Sequence, residues 1–229
     1  MRYTLWLLLL ATAAAQSERP AFEVASVKAS KLTGGPLRVT APDEPAAINY
    51  TNVTLLNCIR RAYGLKSFQV SGGPDWVSTE RYVINAKAAS AVPHPQLMLM
   101  LQGLLAERFQ LVVHREMKEI AAYELTVAKN GPKMKKAEDD ATQIDSNAQH
   151  ALIGHAVSMG LLAGALRLDR PVFDATGLDG LYDVTLDYAR DDEFAIFTAL
   201  QEQLGLKLEQ HKHSVEVLVI DRAQKPPEN

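Results

Sequence analysis

Along this chain, apolar residues recur first with helical and then with strand spacing, and the whole succession comes twice. Leu55, Ile59 and Ala62 share one helical face, and so do Leu161, Ala165 and Leu168 further on. A hydroxyl residue precedes each stripe, Thr54 or Ser158. Its oxygen is placed to accept from a backbone N–H of the first turn, which otherwise lacks a partner. A valine stands before each cap, Val53 or Val157, positioned to staple onto Cys58 or Leu162. Gly64 predicts the end of the first helix, because glycine takes the left-handed C-terminal conformation without a Cβ penalty.

An extended pair follows each helix. In the first half it is Phe68-Gln69-Val70, the turn Gly72-Gly73-Pro74-Asp75, then residues 81–86. In the second half it is Pro171-Val172-Phe173, turn residues at Gly177 and Asp179-Gly180, then residues 181–186. Tyr82 and Tyr182 fall in matching places. A second helix is then predicted in each half. Pro95 suits the first turn of one, with Leu97, Leu101, Leu104, Leu105 and Phe109 as its stripe. Phe194, Phe197, Leu200 and Leu204 form the other stripe, which Gly205 stops. A closing hairpin is expected in each half, pairing residues 111–113 with 123–127 and 206–208 with 215–219. The strands alternate apolar and polar residues, which implies sheets with one wet face.

These elements predict an α+β fold of two related α-β-β-α-β-β halves, with small antiparallel or mixed sheets packed against helices. The expected divisions are 16–128 for the first repeat with its leading strand, 129–151 for a polar linker or loop, and 152–229 for the second repeat. Residues 1–15 stand apart. Arg2, the apolar run from Leu5 to Leu10, and Ala13-Ala14-Ala15 compose a secretory signal peptide, with cleavage expected after Ala15. The chain is expected to be periplasmic or extracellular.

Composition narrows the function classes. Lys and Arg number 24 against 27 Asp and Glu, a formal net charge of −3. Such a surface does not select nucleic acid or anionic lipid. No apolar run after the signal reaches membrane-spanning length. Cys58 is the only cysteine, so no internal disulfide is available, and its apolar neighbours predict a buried thiol rather than a nucleophile.

The order of motifs resembles a known family. Phe22-Glu23-Val24-Ala25-Ser26-Val27-Lys28, Pro74-Asp75-Trp76 with Glu80-Arg81-Tyr82, and Leu105-Ala106-Glu107-Arg108-Phe109 come first, followed by His114-Arg115-Glu116. The later half adds residues 170–178, Tyr182-Asp183, residues 202–206 and Val219-Ile220-Asp221-Arg222. Together they resemble the exported, soil-associated proteins of Acidobacteria, catalogued as a domain of unknown function. The resemblance implies export and no assigned activity. The helix, Gly-Leu, strand, strand pattern at 200–220 also resembles the short N-terminal domains of secretins and TonB-dependent receptors, at the level of fold alone.

Chemistry-bearing motifs are sparse. No nucleophile elbow, phosphate loop or dinucleotide fingerprint occurs. His211 and His213 alternate, but within Gln210-His211-Lys212-His213-Ser214 they read as a solvated hairpin turn, and no metal or cofactor is expected. His114-Arg115-Glu116 reads as a polar strand end. Trp76, with Asp75, stands on a loop, either as a cap on the core or as a contact residue. Arg170 and Asp174 bracket Pro171 and share a strand face, either as an ion pair holding the turn or as a ligand site. The reading reached is a non-enzymatic binding, sensing or interaction module of the cell envelope, its partner an envelope protein or a small ligand. A hydrolase of envelope or extracellular polymers and a structural envelope component are the alternatives.

Overall fold

The computed structural model describes residues 20–31, 38–40, 46–146, 151–189, 192 and 194–227. The expected signal peptide and its cleavage site lie outside the described residues. Small sheets and helices alternate, giving a mixed α+β fold.

The chain divides into two compact units, Met1–Arg115 with Leu218–Asn229, and Glu116–Val217. In the first unit, strands β1 (Val24–Ala29), β2 (Arg38–Thr40), β3 (Ala47–Thr54) and β5 (Arg81–Lys87) form an antiparallel sheet in the order β1-β5-β3-β2. Helix α1 (Leu55–Tyr63) follows β3 directly and packs on α3 (His94–Arg108). The local reasons are those of the sequence. Thr54 Oγ1 accepts from Asn57 N at 3.2 Å, and Gly64 takes φ 66° at the helix end. Pro95 sits in the first turn of α3. Tyr82, Ile84 and Ala86 alternate inward along β5, and they meet Leu55, Ile59, Leu101, Leu105 and Phe109 in one core. Cys58 is buried in that core.

Between α1 and β5 lie a 3-10 turn (Ser67–Gln69), β4 (Val70–Gly72) and a short helix α2 (Trp76–Thr79). The sequence offered a turn and no helix after Gly72-Gly73. The helix forms because Ser78 and Thr79 hydroxyls donate to the Asp75 carbonyl and stabilise a single turn.

In the second unit, β7 (Lys135–Lys136), β8 (Gln143–Ser146), β9 (Ala151–Val157) and β11 (Tyr182–Asp187) form an antiparallel sheet in the order β7-β11-β9-β8. Helix α4 (Met159–Ala165) begins at Ser158, whose Oγ accepts from Leu161 N at 3.2 Å. The expected linker thus contributes two edge strands. Its charged side chains are compatible with strand structure because an edge needs only one pairing side, and lysine there deters further pairing. Helix α5 (Ala195–Ala199) runs into a π-helical turn (Leu200–Leu204) that ends at Gly205, φ 68°. A Cβ at Gly205 would collide with the Gly131 carbonyl.

The closing hairpins are absent. Strand β6 runs unbroken from Val112 to Val127, and β12 from Leu206 to Arg222. They neighbour each other, with β10 (Val172–Asp174) beside β6 and β4 beside β12, both parallel. The physical reason is that neither 114–122 nor 209–214 contains the Gly, Asn or Pro that a tight hairpin turn demands. Charged residues taken for turns are exposed ladder positions instead. Each long strand begins in one unit and ends in the other, so the boundaries of these compact units fall inside β6 and β12.

Strands β3 and β9 share a local distortion. Each carries a bulge just before the valine and the helix cap, with Asn52 at φ 62° and Ala156 at φ 48°. A side chain holds the bulged carbonyl in each: Arg81 donates to Asn52 O at 3.1 Å, and Thr142 to Ala156 O at 2.8 Å.

Candidate functional site

In the second unit a groove of about 570 Å³ opens beside α5. Its floor is Tyr123 of β6, a residue facing inward on the strand and 6% exposed. Phe197 meets the Tyr123 ring edge-on at 5.5 Å, and Phe194 lies tilted 6.5 Å from Phe197. Leu168, Ile196 and Tyr188 complete the apolar lining. Phe194 is 73% exposed, high for so large an apolar ring. Its place follows from the start of α5, where Asp192 Oδ1 accepts the Phe194 backbone N–H at 2.9 Å and turns the chain outward.

Polar groups converge on these rings. The Tyr123 hydroxyl donates to Asp169 and accepts from Gln210. Burial, and then the Asp169 charge, raise the hydroxyl above its ordinary pKa, so it remains a donor at neutral pH. Arg170 Nε pairs with Asp169 at 3.1 Å, and its guanidinium carbon lies 5.8 Å from the Tyr123 ring centroid. Arg167 lines the groove and makes no hydrogen bond or ion pair with another described residue. The arrangement has the form of a small-molecule site: a concave, mostly apolar surface with a few placed polar groups.

Of the residues singled out in the sequence, Arg170 is at this groove, but its carboxylate partner is Asp169. Asp174 instead accepts from the Thr176 backbone N–H at 2.9 Å and hydroxyl at 2.8 Å, closing its own turn. The expected Arg170–Asp174 pair fails because a nearer acid and a local backbone donor satisfy each partner first. In the first unit, Trp76 is half-buried. It stacks on Phe109 at 6.4 Å and meets Tyr82 edge-on at 6.5 Å, while Lys225 covers its other side at 6.0 Å. Lys225 also pairs with Glu80. Asp75 is exposed and uses its backbone carbonyl, not its carboxylate, to hold α2.

His114, His155, His211 and His213 are in strands, not in turns; His150 lies outside the described residues. His211 and His213 share a face of β12, as alternation requires, and Glu124 comes up from the neighbouring β6. Glu124 lies 2.9 Å from His213 Nε2 and 3.5 Å from His211 Nε2, and His213 stacks on Phe173 at 4.3 Å. Glu209, two residues before His211 on the same strand, also lies near it, while Glu124 is brought up by strand pairing. Among the described residues, no group of three or more His, Cys, Asp or Glu is placed to hold a metal ion. His114 Nδ1 pairs with Asp221 at 2.8 Å. His155 lies between two carboxylates, with Nε2 2.9 Å from Asp139 and Nδ1 2.7 Å from Asp183. The Asp139 hydrogen bond, followed by the Asp183 charge, holds the imidazole above its usual pKa. Asp183 also accepts the Ala156 N–H at 3.1 Å, so this cluster fastens the β9 bulge. Burial pushes the Cys58 thiol up to about 12, which removes it as a nucleophile.

The groove residues Tyr123, Arg167, Asp169, Tyr188, Phe194 and Gln210 were not singled out in the sequence. The available signal was Phe194: counted as part of a buried stripe, it falls at the helix cap. No helix among the described residues is long and apolar enough to cross a membrane. No curated protein and no solved structure matches the chain. Residues 56–223, most of the sequence, match the family model described as protein of unknown function (DUF3738), and the chain belongs to that family.

Proposed function

We propose that this protein is an exported binding module of the cell envelope, built from two related halves, that captures a small ligand in the groove beside α5. The observation that carries the reading is the groove itself, where an exposed Phe194 and Arg167, which has no partner among the described residues, lie beside Tyr123, Asp169 and Arg170. Aromatic rings already held in place lose little conformational freedom on binding, and a preorganised polar network gives orientation. Export rests on the N-terminal sequence pattern, and the likeness to soil-associated exported proteins accords with it. The relation between halves is supported by the paired bulge, valine and cap at 52–54 and 156–158.

Thermal melting of the exported chain against a library of envelope-derived sugars, peptides and lipid fragments tests the reading. A ligand at a hundred times its Kd adds about 2.7 kcal/mol, which raises Tm by several degrees in a chain of this size. The expected outcome is such a rise with at least one compound class, lost in Phe194→Ala. A rise that survives Phe194→Ala and Arg167→Ala together contradicts the groove as the site. N-terminal sequencing of exported material is expected to start at Gln16; a mature chain that keeps Met1 contradicts the export reading.

A further inference from the structure

The geometry points to a neutral, polyhydroxylated ligand, a short glycan, laid across Phe194 and Phe197 with its hydroxyls turned to Arg167, Asp169, Asp192 and Gln210. This rests on the groove being the binding site. Charge makes the first argument. Among the described residues at the groove, the guanidiniums of Arg167 and Arg170 balance the carboxylates of Asp169 and Asp192. Among these described residues neither sign of charge is in excess, so they do not by themselves favour an anion or a cation. A hydroxyl both donates and accepts, and it suits a lining that offers guanidinium and amide donors beside carboxylate acceptors.

The rings make the second argument. A pyranose has an apolar C–H face and a hydroxyl rim. Phe194 and Phe197 both line the groove, their rings tilted 40° to each other. Tyr123 lies deeper with its hydroxyl already engaged by Asp169 and Gln210, so it serves as a fixed support for Phe197. Aromatic rings and polar side chains in one lining match an amphipathic ring, whereas a wholly apolar ligand would desolvate Arg167 without offering it a partner. The volume, about 570 Å³, exceeds what a single sugar ring fills and suits an oligomer.

Calorimetric titration of the exported full chain provides the test. Maltotetraose, cellotetraose and chitotetraose are titrated in parallel with benzoate and benzyltrimethylammonium, and urea midpoints are recorded for every variant. The expected result is that at least one tetraose binds and that Phe194→Ala and Arg167→Ala each weaken it at least tenfold with an unchanged urea midpoint. Binding of benzoate or benzyltrimethylammonium that Phe194→Ala abolishes, with no tetraose bound, overturns the glycan and leaves the groove as the site. Tetraose binding untouched by both variants, or no binding by any probe, overturns the glycan and the groove alike.

Discussion

Each unit gathers aromatic rings next to a cation, yet one cluster is shut and the other is open. In the first unit Trp76, Tyr82 and Phe109 pack face and edge on one another, with Phe109 fully buried and Lys225 laid over Trp76. In the second, Tyr123 and Phe197 pack edge-on, but Phe194 stands out into solvent and a groove remains beside it. The difference lies in helices α3 and α5. Helix α3 runs 15 residues and carries Leu97, Leu101, Leu104 and Leu105 into the core. Helix α5 runs only 5 residues before a π-helical turn, and its capping position is Phe194. Short π-helical segments recur at functional sites because they displace side chains from regular helical register. The same kinds of side chain are therefore packed away where a long helix covers them and left open to solvent where a short one does not.

The largest expected effect is on the shut cluster. Phe109→Ala removes a fully buried ring and is expected to cost about 3–5 kcal/mol, read as a lower urea midpoint with two-state fits checked by two probes. An unchanged midpoint would show that the cluster is not a packing core. Next come the helix caps, which compare the units directly. Thr54→Ala and Ser158→Ala each lose one side-chain acceptor at a first turn and are expected to cost about 1 kcal/mol apiece. If only one of the two changes stability, the caps are not equivalent and the relation between the halves weakens.

A smaller effect separates the bulges. His155 has a folded pKa above its ordinary 6.5, so its contribution is fully present below that value and is lost as pH rises through the raised folded value. Asp139, held below 3.8 chiefly by the Ala141 N–H and then by His155, contributes above its ordinary value and loses that contribution as pH falls through the lowered one. Stability measured from mildly acidic to mildly alkaline pH is expected to decline on the alkaline side in the parent chain and to decline less in His155→Gln. Identical profiles would remove His155 as a fastener of β9. The β3 bulge, held by always-charged Arg81, has no such dependence. The smallest stability change is expected at Phe194→Ala, within about 0.5 kcal/mol, because the ring is exposed.

What the sequence revealed was whatever neighbours decide. The caps at Thr54 and Ser158, the Gly64 and Gly205 stops, and the inward alternation of Tyr82 and Tyr182 all depend on contacts within a few residues. The strand partners did not follow. Val172 pairs with Tyr123 and Leu218 with Val70, and no local pattern distinguishes those pairings from hairpins. The same limit hid the chemistry. Glu124 reaches His213 only through pairing of β6 with β12, and the groove is assembled from β6, the segment after α4, the end of β11, α5 and β12. Arg170 was visible as a charge beside Pro171, but its true partner, Asp169, emerged only with Tyr123 beneath it.

The contrast between the two clusters is tested most directly by measuring binding and melting together in Trp76→Ala and Phe194→Ala, with the compound that gives the largest thermal shift. Trp76→Ala is expected to lower Tm and bind the compound as the parent does. Phe194→Ala is expected to melt as the parent does and bind at least tenfold more weakly. If Trp76→Ala loses the ligand while keeping its Tm, or Phe194→Ala loses Tm while keeping the ligand, the assignment of packing to one cluster and recognition to the other is contradicted.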